Sequence, residues 1–242
     1  KLVSILKSSK VLHKFTKKPW SKSLTNSLLH LVNKKILLAW SNSPASMNSI
    51  PAPLALLDEV RLFKKELGNE SNAIKLLADR LTTYEEAGQL IGVSTPSHEG
   101  DLLHDQISVK GTQELWFMSK CPACGKWQIL DFFKNVLNFY PNSDTVDPKV
   151  HCKYCRNIWP LGREKRKLIS GYATENYEGG TSIPPVKMTR RMVFRFSSMV
   201  SPFRSTEKIH RQYFSTKDSI PDYKNFIQAW CAKFWRLSES KI

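Results

Sequence analysis

The stretch Leu54-Ala55-Leu56-Leu57-Asp58-Glu59 decides the expected fold, because an uninterrupted apolar run ends in two adjacent carboxylates. Apolar residues without polar alternation favour a strand buried on both faces, as in a parallel sheet covered by helices. Ligands of such sheets bind at the carboxyl ends of the strands. The pattern therefore predicts a Walker B strand, in which Asp58 holds Mg²⁺ and Glu59 polarises the attacking water. A strand that merely runs into an acidic turn is the alternative.

The charge of the chain indicates a polyanionic partner. The 242 residues carry a formal net charge of +16, and nine lysines but no Asp or Glu precede Asp58. A region this basic attracts nucleic acid, although a solvated surface that only keeps the protein soluble is the alternative. No signal peptide or membrane-length apolar run is present, so no membrane partner is expected. Because the first residue is Lys1, we expect a processed product or a segment of a longer protein.

The elements around the acidic pair complete a crossover unit. Residues 35–40 are expected to form a buried strand, and Ser71 is expected to cap a helix that runs through about Tyr84. Residues 90–93 are expected to form a further strand, which ends at Ser94-Thr95-Pro96. Strand, helix and strand in this order predict a parallel sheet. Two amphipathic helices close the chain, the first beginning at Ser205. The second presents one apolar stripe, formed by Tyr223, Phe226, Ile227, Trp230, Cys231 and Phe234.

Two CxxC pairs, Cys121-Pro-Ala-Cys124 and Cys152-Lys-Tyr-Cys155, are the strongest local signal. Each pair places two thiolates on a tight turn, and two such knuckles complete a tetrahedral Cys₄ site. Because no coordination position stays open, the expected zinc is structural. Free or redox-active cysteines are the alternative. His151 adjoins the second pair, but four thiolates suffice, which favours a role beside the ligands. Cys231 is expected to be a core residue.

One motif that Walker B chemistry requires does not occur in the sequence. No Gly-x-x-x-x-Gly-Lys-Ser/Thr is present, so this chain does not encode a phosphate cradle of that type. Two explanations stay open at this point. Either the interpretation of Asp58 and Glu59 is wrong, or the P-loop lies upstream of Lys1 in a longer parent.

The order of the motifs resembles the large terminase subunit of tailed bacteriophages, in its lambda-like branch. The segments that carry the resemblance follow in family order: Ile36–Ala45, Leu56–Val60, Val93–Pro96, Cys121–Gly125, Phe196–Phe203 and Asn225–Trp235. The match covers most of the chain from about residue 36 onward, and the ordered set is more specific than any single motif. Arg61 departs from the family, which commonly carries an acidic residue there. Residues 1–35 match poorly, so nothing is carried over to them.

The resemblance implies an ATP-driven motor that packages double-stranded DNA into a preformed capsid in the cytoplasm of a bacterial host. Asp58 then matches the Walker B aspartate, Glu59 the catalytic glutamate, and Ser94, Thr95 and Pro96 the motif that couples hydrolysis to movement on DNA. The implied cofactors are structural zinc, together with Mg²⁺ and ATP in the full-length parent. The implied partners are the small terminase subunit, the portal of the procapsid and further copies of the motor subunit in a homo-oligomer.

These patterns together predict an α/β protein: a partial P-loop-NTPase-type parallel sheet with an inserted zinc-ribbon-like module and a C-terminal helical piece. Residues 1–110 are expected to be a partial ATPase domain, residues 111–165 the zinc-binding module, and residues 166–242 a strand and helix segment leading towards a nuclease domain that is absent here. Without a P-loop, the chain alone is expected to be inactive as an ATPase. A non-enzymatic zinc-ribbon DNA-binding protein and an inactive prophage remnant are the alternatives.

Overall fold

The computed structural model describes residues 8–9, 11, 14, 27–47, 51–142, 147–159 and 168–236. Of the nine lysines before Asp58, only Lys14, Lys34 and Lys35 lie among the described residues, and the other six lie outside them. The basic region that the sequence analysis singles out therefore falls mostly on residues whose structure is not described.

The described residues form a mixed α/β fold with both parallel and antiparallel strand pairing, which confirms the predicted class at this level. The strands are β1 (Leu28–His30), β2 (Lys35–Leu37), β3 (Leu54–Asp58), β4 (Glu66–Leu67), β5 (Glu70–Ser71), β6 (Gln89–Val93), β7 (Gln113–Lys120), β8 (Trp127–Ile129), β9 (Ser170–Ala173) and β10 (Met192–Arg195). The helices are α1 (Pro44–Met47), α2 (Ala73–Leu81), α3 (Leu102–Ile107), α4 (Thr206–Thr216) and α5 (Ile220–Ala229). Within this part of the chain, no helix is both long and apolar enough to cross a bilayer.

The chain divides into two compact units. Unit 1 comprises residues 1–57 and 62–92, and unit 2 comprises residues 58–61 and 93–242. The acidic loop after β3 therefore belongs to the same unit as the segment after β6 and the cysteine pairs. The sequence-based division at residues 110 and 165 stays a prediction.

Helix α2 organises the core of unit 1. It begins at Ala73 because the side chain of Asn72 caps it, accepting a hydrogen bond from a first-turn backbone N–H at 3.1 Å. The cap lies one residue beyond the predicted Ser71, which ends β5 instead. Ala73 packs with Met47 of α1 and Leu67 of β4 in a small apolar cluster. The apolar side of α2 therefore packs against α1 and β4.

The strands of the predicted crossover unit, β3 and β6, pair with each other. Gln89 donates its N–H to the carbonyl oxygen of Pro53 at 2.9 Å, so the strands begin side by side. Arg61 donates its N–H to Ser94 Oγ at 3.0 Å, just beyond the end of each strand. Because β3 and β6 begin next to each other and end next to each other, the two strands run parallel. Helix α2 lies between them in the sequence, as predicted.

The prediction that β3 is buried on both faces is wrong. Leu57 is buried, but Leu56 is 72% exposed and Leu54 is also exposed. The physical reason is that, among the described residues, β3 and β6 pair with each other alone, while α2 packs on α1 and β4. The predicted buried strand at residues 35–40 is corrected in the same way: in the part of the chain that the structure describes, β2 (Lys35–Leu37) pairs with β1 alone, and its residues are exposed.

Unit 2 is built on β7, which pairs antiparallel with β8 and β9 and parallel with β10. Helix α4 begins after Ser205, whose Oγ caps the first turn as predicted. Helix α5 buries Phe226 and Ile227, again as predicted, and Cys231 is buried just beyond it. The core joins residues of α4 and α5 to Phe132, Trp159 and two of the cysteines. The cysteine pairs are therefore positioned by the main core of this unit.

Candidate functional site

The four cysteines of the two CxxC pairs form one cluster. All four Sγ atoms lie within 4.8 Å of one another. The Sγ atoms of Cys121 and Cys155 are 3.8 Å apart, and those of Cys124 and Cys152 are also 3.8 Å apart. A tetrahedron with metal–sulfur bonds of about 2.3 Å has sulfur–sulfur edges of about 3.8 Å. The arrangement could therefore hold one metal ion, and both its donors and its dimensions fit zinc.

The two cysteine turns have the same backbone design. In the first, Gly125 donates its N–H to the carbonyl oxygen of Cys121 at 2.9 Å, and in the second Arg156 donates to the carbonyl oxygen of Cys152 at 2.9 Å. Gly125 has φ +71° and Arg156 has φ +62°, so each turn closes through a left-handed residue. Glycine adopts this conformation without strain, whereas Arg156 does not. The equivalent turns aim two sulfurs each at a common centre.

The environment of the thiols is uneven. Burial raises the pKa of the Cys121 thiol to about 12. Burial acts in the same direction on Cys152, but N–H groups of Cys155 and Tyr154 and the Gln128 amide donate to its sulfur and lower its pKa to about 7. Hydrogen bonds of this kind favour the charged thiolate, which is the form that binds metal. The surroundings of Cys152 therefore favour the thiolate form that a metal ligand requires.

Gln128 on β8 is fully buried and connects the cluster to its surroundings. Its Nε2 donates to Cys152 Sγ at 3.1 Å, while its Oε1 accepts from Asn135 Nδ2 at 2.9 Å and from the Lys153 N–H at 3.2 Å. Asn135, also fully buried, donates to the carbonyl oxygen of His151 at 2.7 Å. Unpaired buried amides are costly, so this closed network fixes the second cysteine turn against β8.

Gln128 and Asn135 were not among the predicted site residues. A signal exists for the glutamine, because it stands between Trp127 and Ile129 on a strand that directly follows the first cysteine turn. Its neighbours pack into an apolar cluster on one face of the sheet, and the glutamine points to the other face, where it is also fully buried. An inward polar residue beside a metal-binding motif indicates a hydrogen-bond partner of a ligand.

His151 lies beside the cluster and outside the group of four sulfurs, as the sequence favours. Its Nε2 lies 3.0 Å from Tyr140 Oη, and its Nδ1 lies 3.0 Å from the carbonyl oxygen of Arg156. The ring stacks on Phe139 with centroids 4.1 Å apart. Because both ring nitrogens are engaged elsewhere, His151 supports the second cysteine turn from outside.

Asp58 and Glu59 stand at the carboxyl end of β3, and Glu59 has an unusual backbone. Its φ is +52°, a left-handed conformation that costs residues other than glycine about 1–3 kcal/mol. Its Oε2 accepts a hydrogen bond from Arg61 Nε at 3.0 Å, and the side chain is 45% exposed. Strain of this kind is typical of functional sites. Arg61 therefore directly restrains the side chain of Glu59, the predicted catalytic carboxylate.

Ser94 joins the acidic loop to the second strand end. Its Oγ accepts from the Arg61 N–H at 3.0 Å and donates to the carbonyl oxygen of Thr95 at 3.2 Å. The structure thus places the acidic pair and the Ser94-Thr95-Pro96 segment at neighbouring strand ends, although 33 residues separate Arg61 from Ser94. Ligands of parallel sheets bind at this kind of edge.

The segment directly after Pro96 is bonded to the C-terminal part of unit 2. Trp235 donates its N–H to the carbonyl oxygen of Ser97 at 2.9 Å, and Glu99 donates its N–H to the carbonyl oxygen of Trp235 at 3.2 Å. Gln228 Nε2 donates to the same Ser97 oxygen. Trp235 is buried in the core that also contains Cys121 and Cys152. Sequence patterns gave no signal for this connection.

The carboxylates Asp58 and Glu59 do not belong to any group of three or more metal-ligating side chains among the described residues. A nucleotide-bound Mg²⁺ nevertheless takes most of its ligands from phosphates and water and needs only one or two carboxylates. The acidic pair therefore fits a Mg²⁺ that arrives with a nucleotide, and it does not form a self-sufficient cation site.

Comparison with known proteins places the chain in a family. A family model described as phage terminase large subunit gpA, ATPase domain, matches residues 1–172, which is more than half of the chain. Comparison with curated proteins and with solved structures gave no match. The matched region contains the acidic pair, the segment after β6 and all four clustered cysteines. It also contains residues 1–35, which the resemblance drawn from the motifs leaves out, and it ends before Phe196–Phe203 and Asn225–Trp235, whose resemblance stays a prediction. The chain therefore belongs to the phage terminase large subunit gpA ATPase-domain family.

Proposed function

We propose that this chain forms part of an ATP-driven motor that packages phage DNA, and that it supplies the Walker B side of the nucleotide site. The observation that carries the proposal is the hydrogen bond from Arg61 to Ser94, which joins the acidic loop to the end of the parallel neighbour strand. Membership of the terminase family supports the same function. Asp58 is proposed to hold the Mg²⁺ of bound ATP, and Glu59 to orient the attacking water.

On this proposal, the phosphate cradle is supplied by sequence outside these 242 residues, in which no Gly-x-x-x-x-Gly-Lys-Ser/Thr motif occurs. We expect a P-loop-bearing strand and helix to pack beside β3 and β6, which leave Leu56, Ile91 and Val93 exposed. Parallel strands are normally covered on both faces, so these side chains are suited to burial by such a segment. The decisive test is ATP hydrolysis that depends on Glu59 once a P-loop is supplied.

Ser94, Thr95 and Pro96 are proposed to transmit the state of the nucleotide. Ser94 contacts the acidic loop through Arg61, and the next residues along the chain are bonded to Trp235. Loss of the γ-phosphate changes the contacts available to loops at such a strand end. A shift at Pro96 would therefore be carried to the C-terminal part of unit 2, where the proposed motor would act on DNA or on partner proteins.

Zinc is proposed to occupy the cysteine cluster and to act structurally. Four protein sulfurs close the coordination sphere and leave no position for a substrate. The ion would fix the two cysteine turns to β7, β8 and the core, and the surrounding hydrogen bonds would orient Cys152. No catalytic step is assigned to this centre.

Removal of the Gln128 hydrogen bond should weaken metal binding without abolishing it. In Gln128→Leu, the N–H to Cys152 Sγ is lost, and Asn135 loses one of its two acceptors. Loss of such supporting hydrogen bonds typically lowers metal affinity about 10- to 100-fold. Competition with a chromogenic zinc chelator measures the change. Gln212→Leu on α4, which alters a glutamine outside the network, is the control, and equal affinities of the two variants would contradict the role of Gln128.

DNA binding by the chain should be tolerant of sequence and steeply dependent on salt. The net charge of +16 implies contacts with phosphates, which release counterions when they form. We expect two unrelated 30-base-pair duplexes to bind with equal affinity, and the logarithm of that affinity to fall linearly with the logarithm of salt concentration. Fluorescence anisotropy between low and physiological salt measures both. An affinity that does not respond to salt would argue against phosphate contacts.

A further inference from the structure

A second basic region lies in unit 2, away from the lysine-rich start of the chain. Between Glu178 and Glu207 the sequence contains no acidic residue, whereas it contains five cations. These are Lys187, Arg190, Arg191, Arg195 and Arg204. Residues 187–191 are exposed throughout and lead directly into β10. An exposed run of this composition favours a polyanionic partner.

The sheet register brings aromatic side chains together beside this basic run. Phe194 on β10 pairs with Leu115 of β7, and Phe117 of β7 pairs with Tyr172 of β9. Because alternate residues of a strand share a face, Phe194, Phe117 and Tyr172 stand on one face of the sheet. The ring centroids of Phe117 and Tyr172 are 5.3 Å apart, and those of Tyr172 and Phe194 are 5.0 Å apart. These three rings are called the aromatic face below.

The outer end of the aromatic face is open to solvent. Phe194 is 45% exposed, and Phe196, which follows the strand, is 58% exposed. Burying rings of this size would be favourable, so a sheet face that leaves them in water is suited to a partner. The opposite face of the same sheet is packed, since Met118, Trp127 and Ala173 form a buried cluster there. On the aromatic face itself the exposure is confined to the β10 end, because Leu115, which pairs with Phe194, and Gln128 of β8 are buried on the same face.

The cations before β10 are available for a ligand. No ion pair among the described residues involves Lys187, Arg190 or Arg191. Arg191 donates to the neutral side chain of Gln106 at 3.1 Å. By contrast, Arg195 is paired with Glu114 at 2.8 Å, and strand alternation places it on the opposite face from Phe194. The available positive charge therefore lies at the start of β10, beside the aromatic face.

We infer that this surface binds an unpaired strand of nucleic acid, with bases stacked on Phe194 and its aromatic neighbours and phosphates on the cations of residues 187–191. Single-strand sites combine a basic track with aromatic rings in this way, and each stacked base contributes about 1–3 kcal/mol. A duplex hides the faces of its bases, so it would use the cations but not the rings. An acidic peptide would likewise leave the rings without a stacking partner.

The inference goes beyond the proposed motor function, which requires only duplex DNA. The two proposals can be tested separately. The proposed nucleotide chemistry is tested by ATP hydrolysis that depends on Glu59, whereas the proposed surface is tested by the binding of single-stranded DNA. Neither measurement depends on the residues that carry the other.

The test compares a fluorescein-labelled dT20 strand with a 20-base-pair duplex in anisotropy titrations of the full 242-residue chain. Phe194→Leu keeps an apolar side chain but removes the stacking ring. We expect it to weaken dT20 binding at least about fivefold, the change that corresponds to the loss of one stacked base. Duplex binding should change less than twofold. Phe203→Leu is the matched control, because Phe203 is 81% exposed but lies outside the aromatic face; it should leave both affinities unchanged.

Further variants separate a binding role from a folding role. Phe194→Trp retains a stacking ring and should bind dT20 as well as the unaltered protein does. The double change Arg190→Gln and Arg191→Gln, in an exposed stretch, should lower the salt slope of dT20 binding by about 0.7 for each lost phosphate contact. Far-UV circular dichroism and the metal content of each variant report whether it is folded.

Three outcomes would overturn the inference. The first is equal loss of dT20 affinity in Phe194→Leu and Phe203→Leu, and the second is an equal loss of duplex affinity in Phe194→Leu. The third is that polyglutamate and unlabelled dT20 displace labelled dT20 at the same concentration of negative charges. That result would indicate a general polyanion site without stacking.

Discussion

Replacing Cys121 with serine is expected to abolish stoichiometric zinc binding and to unfold much of the cysteine-bearing part of unit 2. The unaltered chain should contain about one zinc ion after purification in reducing buffer, as measured by inductively coupled plasma mass spectrometry. Cys121 is buried, and a serine hydroxyl at this position is a poor ligand for zinc. Binding to a structural Cys₄ site contributes roughly 10–16 kcal/mol of apparent free energy. That amount is comparable to the whole unfolding free energy of a domain, which is about 5–15 kcal/mol.

Cys231→Ala provides the matched control for the loss of a cysteine. Cys231 is buried in the same core, but its sulfur is not one of the four in the cluster. Burial raises its pKa to about 12, so it stays a neutral thiol at physiological pH. The variant should keep its zinc and lose only packing stability. Full zinc content in Cys121→Ser, or equal loss of zinc in both variants, would contradict a Cys₄ centre.

Replacing Glu59 with glutamine is expected to lower ATP turnover about 10²- to 10⁴-fold in a polypeptide that joins a P-loop segment to this chain, the usual contribution of a positioned acid or base. The amide keeps the size of the side chain but cannot accept the proton of the attacking water. The isolated 242-residue chain should show only background turnover, because it encodes no P-loop motif. Release of inorganic phosphate at saturating Mg²⁺ and ATP measures both quantities.

Glu66→Gln supplies the control, since Glu66 is an exposed acid on β4 that the proposal gives no role. It should leave turnover unchanged. Appreciable hydrolysis by the isolated chain that depends on Glu59 would show that the chain binds phosphate in another way. Undiminished hydrolysis by Glu59→Gln in the joined polypeptide would remove the acidic pair from the chemistry and favour a DNA-binding protein with a structural zinc.

Local patterns predicted much of unit 2. Ser205 caps α4, and Phe226 and Ile227 of the predicted apolar stripe are buried on α5, because capping and amphipathic periodicity depend on residues close in sequence. The helix ends at Ala229, so Trp230, Cys231 and Phe234 of that stripe lie beyond it. Burial of β3 was predicted wrongly for a different reason. An apolar run shows that a strand is suited to burial, but the partners that would cover Leu56 are set by the tertiary structure.

The same difference between local sequence signals and tertiary contacts decides which parts of the candidate site could be predicted. CxxC spacing is a local signal, and the structure brings the four sulfurs together as that spacing indicates. The network of Gln128 and Asn135 is not local, since it joins a strand, a helical turn and the second cysteine turn. The bond between Arg61 and Ser94 depends on the pairing of β3 with β6, so it too follows from the fold. Sequence patterns therefore predict metal ligands better than they predict the residues whose hydrogen bonds position those ligands.

The bonds between residues 97–99 and Trp235 have a mechanical consequence. Any displacement of the chain after Pro96 must either break the hydrogen bonds at Ser97 and Glu99 or pull the Trp235 indole against the rings that surround it. Close-packed side chains yield little before they rearrange as a group. A shift at the proposed nucleotide site would therefore be transmitted through Ser97 and Glu99 to the Trp235 side chain and to the core around it.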